Sequence, residues 1–197
     1  MKKTLLIAIA ILMGTNLVFA SATPSNVKKQ TKWGLYVNAQ EAYDMKMKNP
    51  DNVLFIDVRE PIEMMFVGST NVIDYNIPFK FVNSKKWNEK KSVFGLDLNT
   101  HFEEDIAKAL KLKNMSKETP IIIMCRSGGT RGAPATKLLE NKGYKNVYVV
   151  TDGFEGGKTK DGEHKGFRLK NGWKNTKGLP WGYKLDKNKM YFFVFKH

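Results

Sequence analysis

The chain has 197 residues, a formal net charge of +14, 42% hydrophobic residues and a single cysteine, Cys125. That length suits one domain with a core of its own, and one cysteine excludes an intramolecular disulfide. The positive charge alone would suit nucleic acid or an anionic surface. Its lysines are scattered, however, and no arginine-rich stripe or nucleic-acid motif accompanies them. A solvated basic surface that draws small anions is expected, with no nucleic-acid partner.

Residues 1–22 read as a secretory signal peptide. Lys2 and Lys3 precede an apolar run from Leu5 to Phe19, and Ala20-Ser21-Ala22 fits the cleavage pattern, with Val18-Phe19-Ala20 as second choice. The run is shorter than the ~20 residues of a spanning helix. A periplasmic or secreted protein is therefore expected, with no stable membrane insertion after cleavage. An unpaired cysteine in an exported chain is a free reactive thiol.

Residues 23–34 read as a polar linker, and Leu35-Tyr36-Val37 as a short first strand. Asn38 with Glu41 predicts a capping box opening a helix to about Lys48. A turn follows at Asn49–Asn52, then a buried strand, Val53–Val58, with Asp57 and Arg59 at its end. Pro61–Phe66 reads as a short helical turn and Val72–Ile77 as a third strand. Residues 79–99 carry Phe79, Phe81, Trp87 and Phe94 among lysines. A connection that long is often functional. Its aromatics are expected to pack on the domain, a wall of the site being the alternative. A helix starts at Asn99 or Thr100 and runs to about Lys113, with Glu103, Glu104 and Asp105 in the first turn, where the dipole favours them.

Ile121-Ile122-Ile123-Met124 after Pro120 predicts a strand buried on both faces. The apolar run stops at Cys125, and an amphipathic helix begins at Ala133 and ends near Asn141, with Gly143 as its cap. Strand, tight loop and helix put Cys125 at the carboxyl end of a strand, where open α/β sheets bind ligands. Gly128, Gly129 and Gly132 let the loop turn tightly and aim amides inward. Amides so grouped at a helix start bind anions. Arg126 and Arg131 add positive charge, and Ser127 and Thr130 complete the substrate-binding loop. A lone cysteine at a strand end is commonly a small buried hydrophobe. Here two arginines and three glycines follow within seven residues, the electropositive setting of a reactive thiolate nucleophile.

Cys125-Arg126-Ser127-Gly128 followed by an arginine and a helix resembles the active loop of rhodanese-like sulfurtransferases. Asp57-Val58-Arg59 after a buried strand, Asn76-Ile77-Pro78, and Gly143–Val150 followed by Asp152-Gly153-Phe154 resemble further motifs of that family in the same order. The resemblance spans residues 35–155. It implies an α/β, three-layer module, a central parallel sheet flanked by helices, whose Cys125 carries a persulfide sulfur. It also implies that Asp57 and Arg59 are structural residues near the site, and that the partners are a small anionic sulfur donor and a thiol or protein acceptor. No cofactor is implied. His101, His164 and His197 are too dispersed for a metal site.

Three functions compete. The first is a sulfurtransferase of the thiosulfate type, passing sulfur through Cys125 to a thiol or cyanide. The second is a cysteine-dependent phosphatase or arsenate reductase, because Cys125 to Arg131 spells Cys-x5-Arg; Met124 and Gly132 depart from that pattern. The third is a non-catalytic persulfide carrier. Residues 156–197 form a Gly-, Lys- and aromatic-rich extension. Most of its aromatics are expected to pack on the domain, since so many exposed rings would be costly.

Overall fold

The computed structural model describes residues 21–195; residues 1–20, on which most of the expected signal peptide falls, lie outside the described residues. The first half of the chain forms β1 (Tyr36–Val37), α1 (Ala39–Lys48), β2 (Leu54–Asp57), α2 (Pro61–Val67) and β3 (Tyr75–Asn76). A ribbon follows, β4 (Lys80–Asn88) and β5 (Val93–Leu98), then α3 (Phe102–Leu112), β6 (Ile121–Met124), α4 (Gly132–Asn141) and β7 (Val147–Val150). The extension adds β8 (Gly157–Lys158), β9 (Arg168–Lys170) and α5 (Tyr191–Val194).

The central sheet has the order β1-β7-β6-β2-β3, and every pairing is parallel. Its strands are apolar without alternation because both faces are covered. The two-residue period of a strand sorts the side chains. Ile121, Ile123 and Cys125 face a layer containing Phe102 and Ile106 of α3 and Ala135 and Leu139 of α4. Ile122 and Met124 face the opposite layer, with Ala42 and Met45 of α1 and Met64 of α2. This is the expected three-layer α/β module.

Local signals act as read. Asn38 Oδ1 accepts from the Glu41 amide at 2.9 Å and Glu41 Oε2 from the Asn38 amide at 2.8 Å, so α1 begins with a full capping box. Gly143 follows the C-terminus of α4 at φ +89. The strand expected over 72–77 shrinks to Tyr75–Asn76, an edge strand bonded on one side only.

Two segments differ from the expectation. Residues 23–34 are a strap, not a free linker. The amides of Lys32 and Trp33 donate to the buried Glu140 carboxylate at 2.9 and 3.0 Å, and that of Thr31 to the Tyr36 hydroxyl at 2.8 Å. Residues 80–98 form an antiparallel hairpin. Its lysine-broken pattern hid it, and its turn has no Asn-Gly pair but Ser92 at φ 50.

The extension divides its aromatics. Trp173 is fully buried, 5.4 Å from Phe55 and 6.0 Å from Tyr43, with Nε1 donating to the Pro180 carbonyl at 3.0 Å. Tyr191 and Phe195 pack on Phe81 and Tyr75, whereas Trp181, Tyr183, Phe192 and Phe193 stay exposed. No helix among the described residues is long and apolar enough to cross a membrane. Because Trp173 fills the core under β2, Trp173→Ala is expected to cost roughly 3–5 kcal/mol in chemical denaturation. A cost under about 0.5 kcal/mol, as for a surface change, would show the extension to be peripheral.

Candidate active site

β6 ends at Met124, and Cys125, 2% exposed, lines a cavity. The turn after β7 braces it. The Phe154 amide donates to the Cys125 carbonyl at 2.8 Å and the Glu155 amide to that of Arg126 at 2.9 Å. Two glycines permit this approach. A Cβ on Gly153 (φ +66) would lie 2.5 Å from both the Cys125 oxygen and the Ser127 nitrogen. A Cβ on Gly128 (φ +65) would lie 2.0 Å from the Thr151 oxygen. No other residue type fits either position without displacing backbone. Gly132 opens α4, and a Cβ there would stand 3.3 Å from Cys125 Sγ, so the sulfur sits against the first turn of the helix.

No hydrogen bond between described residues uses the amide N–H groups of residues 126–131. These donors belong to the loop that joins Cys125 to the N-terminus of a ten-residue helix. Unmet N–H groups and the helix dipole there favour an anion. Ser127 and Thr130 line the same cavity, while Gly128, Gly129 and Gly132 shape the loop backbone.

The arginines expected to add positive charge each lie against a carboxylate. Arg131, 8% exposed, donates through Nη1 and Nη2 to the Glu63 carboxylate, the Nη2–Oε1 bond being 2.9 Å. Arg126 Nε donates to Glu155 Oε1 at 2.5 Å. Burial pushes the Glu63 carboxyl up, but the hydrogen bonds and charge of Arg131 outweigh it and hold it below its ordinary value. Burial likewise opposes the Arg131 charge, and Glu63 outweighs it and raises that pKa. Glu63 and Glu155 were not named from the sequence. Glu63 stands 68 residues from its partner and Glu155 stands 29 from its own, separations for which linear spacing has no rule.

The cavity, about 460 Å³, has a second wall. Val82, Val93, Phe94 and Leu96 of the β4–β5 hairpin line it, with Lys91 and Arg168 as further cations. Segment 79–99 thus does both things weighed for it. Phe79 and Phe81 pack on Phe102 and Tyr191 at 5.1 and 5.7 Å, and the outer hairpin walls the site.

Asp57 and Arg59 are fully buried and paired, Nη2 to Oδ2 at 2.7 Å. The Arg59 guanidinium lies 4.0 Å from the Phe154 ring centroid and donates to the Gly68 carbonyl at 3.2 Å. Asn76 Nδ2 donates to the carbonyls of both residues of the pair. The pair therefore joins β2, β3, the end of α2 and the turn that carries Phe154, a structural role beside the site.

The Arg131–Glu63 pair has a pH signature. A depressed folded pKa makes the stability contributed by Glu63 complete above the ordinary carboxyl value of 4.5 and lost as pH falls through the folded value. Below pH 4.5 the wild type should lose stability more steeply than Glu63→Gln. At neutral pH that variant, which leaves Arg131 without its counter-charge, should be less stable by roughly 3 kcal/mol. Parallel pH profiles in chemical denaturation would refute the pairing.

The profile of the rhodanese-like domain matches residues 38–160. The protein RP600 of Rickettsia prowazekii is 32% identical over 144 residues, 73% of this chain and 93% of that protein. The crystal structure of Rv0390 from M. tuberculosis is 25% identical, with a TM-score of 0.53 over 78% of this chain and 100% of that one. The solution structure of the polysulfide-sulfur transferase homodimer from Wolinella succinogenes is 24% identical, with a TM-score of 0.42 over 60% and 69%. With its sheet order, its loop cysteine and this match, the chain belongs to the rhodanese-like family.

Proposed function

We propose that the protein is a sulfurtransferase that takes sulfane sulfur from a donor such as thiosulfate and passes it to a thiol or to cyanide. The observation that carries this is the row of unbonded amides in the loop that follows Cys125, with the sulfur against the first turn of α4. The Cys125 thiolate attacks the outer sulfur of thiosulfate, the donor S–S bond breaks, and sulfite leaves with the bonding pair. The resulting persulfide is an anion, which the loop N–H groups stabilise. The acceptor then attacks the outer sulfur and Cys125 departs as thiolate.

The phosphatase or arsenate reductase reading keeps the Cys-x5-Arg spacing but meets an obstacle. A bidentate grip on a tetrahedral dianion needs the guanidinium fork, and that of Arg131 lies on Glu63. The Arg131–Glu63 pair presents no net charge to such a ligand.

Export belongs to the same proposal. Of the two cleavage points, the one after Ala20 is supported by Ser21, whose amide donates to the Tyr36 carbonyl at 2.8 Å and whose hydroxyl bonds Glu41. Cleavage after Ala22 would remove both contacts. N-terminal sequencing of the exported protein should read Ser21 first, and finding Met1 would refute export with cleavage.

Thiosulfate treatment should add one sulfur atom to the wild type in intact mass, and cyanide should remove it. Cys125→Ser should show no adduct and lose thiosulfate:cyanide activity with circular dichroism unchanged, since a hydroxyl is no substitute for a thiolate nucleophile. Robust hydrolysis of aryl phosphates without any sulfur adduct would transfer the assignment to the phosphatase reading.

A further inference from the structure

The β8–β9 hairpin lies beside the site and brings charge to it. Arg126, Lys158, Lys165, Arg168 and Lys174 line a cavity of about 590 Å³ in which Glu155 is the carboxylate, and that carboxylate is engaged by Arg126. Among the described residues no carboxylate pairs with Lys158, Lys165, Arg168 or Lys174. Arg126 and Arg168 also line the Cys125 cavity, so the two spaces adjoin across these side chains.

Arg168 stands at that junction. Its Nη1 donates to the Gly156 carbonyl at 2.6 Å, while its Nε is buried without a partner. Burial, then the neighbouring Arg126 charge, pushes its pKa down, the mark of a cation in need of an anion. The hairpin is held in place rather than loose. Asn175 Nδ2 donates to the carbonyls of Glu155 and Asn171 at 3.0 and 2.8 Å. Gly156 and Gly172 pack so closely that a Cβ on Gly172 would lie 2.3 Å from the Gly156 nitrogen.

We propose that this second cavity is an anion subsite that holds the carboxylates of a low-molecular-weight thiol while its sulfur reaches Cys125. The inference rests on the sulfurtransferase reading for the transfer step but not for the binding. A thiosulfate-sized anion is small against the Cys125 cavity of about 460 Å³ and has no need of a second space. A ligand that engages both spaces must be longer, with sulfur at one end and negative charge at the other. Phe167 and Leu169 add apolar surface among the cations, which suits an organic body, and each space falls within the roughly 300–1,000 Å³ of small-molecule sites. In the transfer the thiol gives its proton to solvent. Its thiolate attacks the outer sulfur of the Cys125 persulfide, a new S–S bond forms in the acceptor, and the bond to Cys125 breaks with the electron pair returning to Cys125.

Glutathione, with two carboxylates, and neutral 2-mercaptoethanol are the probes. Lys158→Gln/Lys165→Gln/Lys174→Gln changes two exposed side chains and one half-buried one and leaves Arg168 in place. With persulfide-loaded protein, the rate ratio of glutathione to 2-mercaptoethanol at subsaturating thiol should fall about tenfold in this variant, the size expected for losing a charged hydrogen bond. The Kd of S-methylglutathione, which cannot accept sulfur, should rise about tenfold by calorimetry. Arg168→Gln should act in the same direction, and Arg168→Lys should restore part of the loss. An unchanged ratio together with unchanged S-methylglutathione binding overturns the subsite. Failure of the wild type to load sulfur overturns the sulfurtransferase reading instead, and the binding measurement still decides the subsite.

Discussion

The approach of the turn at residues 151–155 to the loop at Cys125 sets the geometry around the sulfur. Two backbone hydrogen bonds, from Phe154 and Glu155 to the carbonyls of Cys125 and Arg126, fix the start of the loop against that turn. Gly128 and Gly153 supply the space, each at a positive φ with backbone where a Cβ would be. The carbonyls of Cys125 and Arg126 are bonded to that turn, while the amides of residues 126–131 have no partner among the described residues. Loop, sheet and α4 then make a preorganised donor array, which stabilises developing charge without reorganisation. The Asp57–Arg59 pair supports this from behind, since Arg59 lies against Phe154 in the same turn.

Charge at the site is arranged in two tiers. The loop arginines, which the sequence offers first, are each bound to a carboxylate, Arg131 to Glu63 and Arg126 to Glu155. They orient α2 and the post-β7 turn against the loop and contribute little free charge to a ligand. Cations with no acidic partner among the described residues come from segments outside the motifs, Lys91 on the ribbon and Arg168 on the extension. The loop and its carboxylate partners therefore build the cradle, and the charge and apolar surface around it come from the two hairpins.

Much of the fold was legible in the sequence. Three isoleucines after a proline marked the central strand, Asn38 and Glu41 marked the start of α1, and Gly143 marked the end of α4, because each signal is local and physical. Other elements were hidden for equally physical reasons. β3 is held by the neighbouring β2, so its ends could not be read from the run Val72–Ile77. The ribbon of β4 and β5 is solvent-facing for most of its length, and exposed strands carry no strong alternation. The partners of the loop arginines lie on distant elements, and only packing brings them together. The strap at residues 23–34 looked like a linker because it carries few apolar residues, yet its backbone amides find Glu140.

The central claim is that the loop amides hold a negatively charged sulfur on Cys125. A crystal structure of the thiosulfate-treated protein tests it most directly. The account predicts a second sulfur bonded to Cys125 Sγ, pointing into the loop, with several N–H groups of residues 126–131 in hydrogen-bond reach. An extra sulfur directed instead toward Val82 and Phe94, or loop amides bonded to protein carbonyls with no sulfur on Cys125, would contradict it.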